Sequence, residues 1–303
     1  MPNELDAILD KHCQPINISF NYKRNKAKAI LSLKGILDGI NADAKLNDIE
    51  ILYLRAWKDN DAFSYRDGDF VDIHAQIEDI LEDNVITKLE LEDMQAMLQD
   101  ILDYGDLEDG GYESTVNHLL GFLSGISVDE RLNDREIRSL AKLLRSDMNL
   151  SSTWPANAIK HRVDEVLADG QVDESERTEL LSLIKSISGQ SLMDTGLAYG
   201  MSADFSTTQD GRLCLQGKSV CFTGKFLSGS RATQQRKALE LGGEIKSNVA
   251  KNLDILVLGS VASRDWRFSS YGRKIELALG NRLAGARTEI INEETWNSLT
   301  DCT

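Results

Sequence analysis

Shifted by 86 residues, the first part of the chain lies over itself. LKGILDGINADAKLNDIEI from Leu33 aligns with LLGFLSGISVDERLNDREI from Leu119, so that Gly35 meets Gly121 and Gly39 meets Gly125. The same shift carries IEDILEDNVITKLELEDM from Ile77 onto VDEVLADGQVDESERTEL from Val163. One offset serves both stretches, which marks a duplication without large insertions, and a unit repeated at this length must fold twice in the same way. Apolar residues recur at three and four positions, as in Ile30, Leu33, Ile36, Leu37 and Ile40 or Leu180, Leu181, Leu183, Ile184 and Ile187. That is the period of amphipathic helices, and the chain has only three prolines to interrupt them. The expected copies are residues 1–110 and 111–190, both all-helical.

Each copy contains two versions of a shorter pattern, Asp-x-x-aliphatic-(Asn/Thr/Asp)-x-x-Glu, beginning at Asp43, Asp83, Asp129 and Asp169. Its second half, Asn47 to Glu50, Thr87 to Glu90, Asn133 to Glu136 and Asp173 to Glu176, has the spacing of a capping box, which satisfies two amides at a helix start. The aliphatic residue before it (Leu46, Ile86, Leu132 or Val172) is placed to staple the turn. The pattern also suits the back half of a calcium loop, which needs oxygen ligands further upstream. Counting back from Asp169 reaches Glu165 and Leu167, and from Asp43 Gly39 and Asn41. Only the Asp83 copy has an upstream Asp79, and its next position is Leu81. Capped helical hairpins without metal are the expectation. LADGQVDESERTELL resembles the turn of TerB-like helical domains, although the other three copies lack the glycine. That resemblance implies a scaffold or sensor module.

Past Ser188 the helical period stops. Residues 191–211 read as a partly anchored linker rich in small and turn-forming residues, with scattered apolar side chains at Leu197, Tyr199, Met201 and Phe205. From Arg212 strands and helices alternate: a strand from Ser219 to Phe222, a helix in RATQQRKALE ending at Gly242-Gly243, and a buried strand in DILVLG from Asp254. A helix in YGRKIELAL, a strand in TEII and a closing helix in EETWNSL follow. This grammar gives a small parallel sheet flanked by helices over residues 212–303. The fold class is therefore multidomain, an all-α duplicated repeat followed by an α/β domain.

Residues 212–303 resemble a BRCT domain essentially throughout. The matching features are the strand ending in Thr223-Gly224, Ser230-Arg231 opening the first helix, Gly242-Gly243 closing it, the strand Asp254 to Gly259, Lys274 in the second helix and Trp296 in the last. The segment from Asp265 to Lys274 is similar to one in a bacterial subset of BRCT proteins. Thr223, Gly224, Arg231 and Lys274 resemble the positions that hold a phosphate in the BRCT domains of bacterial NAD-dependent DNA ligase and the clamp-loader large subunit. The physics agrees: a hydroxyl, an unobstructed glycine amide and two cations beside helix N-termini favour an anion. The same residues also suit a strand-end turn and a solvated helix face. Trp266, Arg267 and Arg273, interleaved with Phe268 and Tyr271, could stack on bases and follow a nucleic-acid backbone, or pin a long loop to its own domain. Trp296 reads as core.

The chain's net charge of −15 argues against nucleic acid when taken whole. Split at residue 211, the first part carries a net −20 and the second +5, so the objection applies only to the helical array. No apolar run spans a bilayer. The acidic N-terminus is unlike a signal peptide, and Cys13, Cys214, Cys221 and Cys302 form no disulfide framework, all of which suits a cytoplasmic protein. His12, His74, His118 and His161 have no zinc-ligand spacing. No nucleotidyl-transfer lysine motif, P-loop or catalytic triad is present, so no cofactor and no catalytic residue are expected. The function expected is a non-enzymatic adaptor in bacterial DNA metabolism. It would bind a 5′-phosphorylated DNA end through the BRCT domain and a protein partner through the acidic repeat, with no membrane association. The alternative is a protein-interaction scaffold whose BRCT domain reads a protein or phosphopeptide.

Overall fold

The computed structural model describes residues 21–43, 47–59, 67–82, 86–107, 111–146, 150, 153–198, 200–207, 214–263 and 265–301. Leu46, Asp83, Tyr199 and Arg212, together with Cys13, Cys302 and His12, lie outside them. Two compact units are formed. One is helical, Lys23–Ala203 with Phe268–Ser270; the other is α/β and includes Asp204–Arg267 and Tyr271–Thr303.

The helical unit contains α1 (Tyr22–Ile40), α2 (Asp48–Lys58), α3 (Gly68–Ile80), α4 (Lys88–Tyr104), α5 (Tyr112–Ile126), α6 (Asp134–Ser146), α7 (Ala156–Val166), α8 (Glu174–Ser188) and the short α9 (Leu192–Thr195). The first four helices recur, 86 residues on, as α5 to α8. All four capping boxes form: Asn47, Thr87, Asn133 and Asp173 each accept the amide of the glutamate three residues on. Each glutamate accepts the cap's own amide, with distances from 2.7 to 3.2 Å. The Asp129 and Asp169 carboxylates accept backbone N–H groups of Arg131 and Gln171, at 3.0 and 2.9 Å. The residue in between is left-handed, Glu130 at φ 62° and Gly170 at φ 79°. Gly170 thus relieves a turn that Glu130 makes under mild strain. Among the described residues, no group of three or more His, Cys, Asp and Glu is placed to hold a metal.

The two copies meet where their glycines align. A Cβ on Gly35 would stand 2.0 Å from the His118 carbonyl oxygen, and one on Gly121 would stand 2.0 Å from that of Ser32. Likewise Gly39 faces the Phe122 oxygen and Gly125 the Ile36 oxygen, each at 2.5 Å. His118 is the repeat mate of Ser32, and Phe122 that of Ile36, so the contacts of α1 with α5 are reciprocal and a local two-fold relates the copies. Core residues follow the same relation, with Leu33 and Leu119, Leu37 and Leu123, Ile73 and Ile159, and Leu98 and Ile184 all buried. Side chains break the symmetry: His118 Nε2 lies 2.8 Å from Asp38 Oδ2, whereas their mates are Ser32 and Ser124.

In the α/β unit, β1 (Ser219–Thr223), β2 (Glu244–Ile245), β3 (Ile255–Leu258) and β4 (Glu289–Asn292) form one parallel sheet in the order β2-β1-β3-β4. The helices are α10 (Arg231–Glu240), α11 (Arg273–Leu283) and α12 (Glu293–Asp301). Val220, Phe222, Ile255, Val257 and Ile291 share one sheet face and pack with Ala238 of α10 and Trp296 of α12. The β1–α10–β2 and β3–α11–β4 connections run in opposite directions along the sheet, and by the right-handed crossover rule this assigns α10 and α11 to opposite faces. Gly242 ends α10 at φ 79°. The chain turns there so that the Gly243 amide reaches the Ala238 carbonyl at 2.8 Å. No described helix is long and apolar enough to cross a membrane.

Candidate functional site

The strand order fixes where a ligand can approach. From β1 the chain crosses through α10 to β2 on one side, and from β3 it crosses through α11 to β4 on the other. The order therefore reverses between β1 and β3. In open parallel sheets the crevice at the carboxyl ends of such a pair is the usual binding position. Here it is bordered by Thr223-Gly224 and Gly259-Ser260. The two strand ends are held together by the Gly259 amide on the Thr223 carbonyl at 2.9 Å and by a bridge between Lys225 and Val261. Gly224 adopts φ 83°, and a Cβ on Gly259 would stand 2.2 Å from the Lys225 oxygen. Glycine is required at both positions, at the first by conformation and at the second by proximity.

Both cations expected at the site come to this strand end. Arg231, the first residue of α10, donates from Nη2 to the Gly224 carbonyl at 2.9 Å. Lys274, the second residue of α11, donates from Nζ to the Phe222 carbonyl at 3.1 Å. Thr223, which is buried, lies between the two acceptors. All four residues thus converge on three consecutive backbone positions. Each cation keeps donors in reserve, since a lysine has three and an arginine five. Arg231 Nε is buried with no hydrogen-bond partner among the described residues, and burial pushes its guanidinium below the usual value, with Cys221 opposing. The N-terminus of α10 is capped by Ser230, which accepts the Thr233 amide at 3.1 Å. That of α11 begins at Gly272, which has no side chain to cap it.

The aromatic-basic loop divides. Arg267 and Arg273 are exposed and Trp266 is half-buried against Gly272, where a Cβ would stand 2.5 Å from its ring. Phe268 and Tyr271 are fully buried, so their rings are not offered for stacking. Phe268 packs edge-on against Tyr112, with centroids 5.9 Å apart. The Ser269 amide donates to Asn117 Oδ1 at 3.0 Å and the Ser270 hydroxyl to the Ile187 carbonyl at 2.8 Å.

One residue that sequence reasoning passed over organises the crevice. Glu293, at the start of α12, is buried; its carboxylate accepts the Ser228 amide and hydroxyl, both at 2.7 Å, and the Ser260 amide at 2.9 Å. It therefore ties the turn after β1 to the turn after β3. Burial pushes its pKa up, but these hydrogen bonds outweigh burial and hold it below the usual range. In sequence it reads as an ordinary acid at a helix start, and its partners lie 33 and 65 residues away. Gln234 completes the support, donating to the Ser228 carbonyl at 3.1 Å and accepting from Trp296 Nε1 at 2.9 Å.

Comparison with known proteins gives two distant relatives. A DNA ligase of Pediococcus pentosaceus is 24% identical over 162 residues, covering 51% of this chain and 24% of the ligase. A DNA ligase of Wolbachia sp. subsp. Brugia malayi is 32% identical over 82 residues, covering 27% of this chain and 10% of the ligase. The chain thus spans a quarter or less of the length of these curated relatives. No family model and no solved structure matches.

Proposed function

We propose that the α/β unit is a BRCT-type module that binds a phosphate group, that of a DNA 5′ end. On this reading the chain serves DNA metabolism as a non-enzymatic adaptor, whose helical repeat engages a protein. The observation that carries the reading is the convergence of Arg231 and Lys274, from two helix N-termini, on the end of β1 at the reversal of strand order. A guanidinium and an ammonium with unused donors suit a dianionic terminal phosphate, which the helix dipoles also favour. The similarity to two DNA ligases and the net +5 of residues 212–303 point the same way.

The test is fluorescence anisotropy of the full chain with 5′-phosphorylated and 5′-hydroxyl duplexes across a salt series. Wild type should prefer the phosphorylated end, and the double variant Arg231→Gln with Lys274→Gln should lose that preference. Its salt dependence should fall by about one unit of slope per phosphate contact removed. Both residues also hold β1 carbonyls, so thermal unfolding of the variant is measured alongside. Arg231→Lys, which keeps the charge, should retain part of the preference. Equal binding of the two duplexes by wild type overturns the proposal.

A further inference from the structure

On α4, Leu91, Met94, Leu98 and Leu102 face the core of the helical unit. A second stripe runs along the helix at the same spacing, through Asp93, Met97, Asp100, Ile101 and Tyr104. With Asp69 at the start of α3 it lines an open groove of about 640 Å³. Met97 and Ile101 are half-buried and form its apolar floor, while Asp93 and Asp100 are exposed and stand about 10 Å apart along the axis. Among the described residues neither carboxylate has an ion-pair partner, and no basic residue lines the groove. Tyr104 is 92% exposed, an unusual state for a large aromatic side chain on a folded helix.

The duplication shows what such a face looks like when covered. The repeat mates of Ile101 and Tyr104 are Ile187 and Gln190, which are 2% and 6% exposed. Non-helical chain of the same unit lies over them: the Ser270 hydroxyl bonds the Ile187 carbonyl, the Ala203 amide bonds the Ser270 carbonyl, and the Met201 oxygen would meet a Cβ on Gly189 at 2.7 Å. The first copy runs its helix on through Tyr104, which stays exposed, whereas α8 stops at Ser188 before the left-handed Gly189. The first copy also replaces Ser186 by Asp100 and Gln190 by Tyr104.

We propose that this groove is the docking site for a basic, amphipathic segment of a partner protein. Lysine or arginine heads would reach Asp93 and Asp100, and an apolar side chain between them would rest on Met97, Ile101 and the Tyr104 ring. Methionine adapts its shape to such an anchor, and tyrosine is enriched where partners bind most tightly. The carboxylates exclude a nucleic-acid backbone from the same face. The proposal rests on the reading of the helical repeat as the protein-binding half. Its test contains no DNA, so its failure leaves the phosphate reading of the α/β unit standing.

The probe is a fluorescein-labelled 14-residue amphipathic peptide of lysine and leucine, titrated with the full chain, beside a counterpart in which glutamate replaces every lysine. The lysine peptide should bind and the glutamate peptide should not. Asp93→Asn with Asp100→Asn should weaken binding about 5-fold, and Tyr104→Ser about 10-fold. Glu174→Gln with Asp194→Asn makes the same change in net charge at exposed positions outside the groove and should leave affinity within 2-fold. All the altered side chains are exposed, and unchanged thermal unfolding confirms that the variants fold. Absence of lysine-peptide binding, equal binding of the two peptides, or an equal loss in the outside pair overturns the proposal. So does a concentration-dependent dimer in sedimentation that Tyr104→Ser abolishes, since a second copy would then fill the groove.

Discussion

Gly121→Ala should destabilise the helical unit, although alanine is the better helix former. In an unencumbered helix interior the change stabilises by about 1 kcal/mol. Here the new Cβ stands 2.0 Å from the Ser32 carbonyl oxygen, 1.4 Å short of the 3.4 Å at which ordinary contact begins. The obstacle is backbone of α1, so no rotamer change clears it and the two helices must move apart. Inserting a methyl group into such a crossing costs typically about 1–3 kcal/mol and more where the backbone must shift. Subtracting the propensity term leaves a net loss of about 2 kcal/mol. For a unit of this size that lowers the melting temperature by about 4–8 °C, read from helical circular dichroism. Gly68→Ala, at the exposed start of α3 with nothing within 4 Å, is the control and should leave the transition unchanged or slightly raised. Gly35→Ala should match Gly121→Ala, because its Cβ meets the mated carbonyl at the same distance. The double variant should cost less than the sum, since helices already separated for one methyl admit the other. An unchanged or higher melting temperature for Gly121→Ala would refute the close crossing, and strict additivity would refute a shared one.

Three further outcomes follow from the described contacts. Replacing Asn133 by alanine removes a cap whose mate is present in each of the other hairpins. It should cost about 1 kcal/mol, seen as a lower urea midpoint with unchanged m-value. Glu293→Gln should cost about 2 kcal/mol, because three charge-assisted bonds from Ser228 and Ser260 become neutral ones, measured by urea unfolding of the α/β unit. The folded-state pKa of Glu293 lies below its unfolded value. Its stabilisation is therefore complete above about pH 4.3 and vanishes as pH falls through the folded value. The acid limb of stability should be shallower in Glu293→Gln, and an identical limb would contradict the assignment.

Helix starts were legible in the sequence because their causes are local. The four boxes at Asn47, Thr87, Asn133 and Asp173 lie within four residues of chain, and each forms. The glycines at 35, 39, 121 and 125 were visible as aligned positions. That they face one another is a property of the crossing, which no alignment of the copies contains. Strand β2 escaped notice because two residues, one of them exposed, produce no alternation. At the crevice, Arg231 and Lys274 were identifiable as cations at helix starts. Their reach back to the Gly224 and Phe222 carbonyls depends on the sheet order, which is set by pairings far apart in sequence. Glu293 is the extreme case, since its role is defined wholly by two turns belonging to other strands.

The unbroken 86-residue offset gives the helical unit an internal reference. Among the described residues, side chains of the paired helices have counterparts at matching helical positions in the other copy, at the same temperature, salt and pH, within one molecule. A substitution made at both mates subtracts the intrinsic preference of the residue and leaves only its surroundings. Ser32 against His118 isolates what the hydrogen bond with Asp38 adds to a helix crossing, and Ile101 against Ile187 isolates what covering a helix face is worth. Such measurements ordinarily require two proteins and a correction for everything else that differs between them.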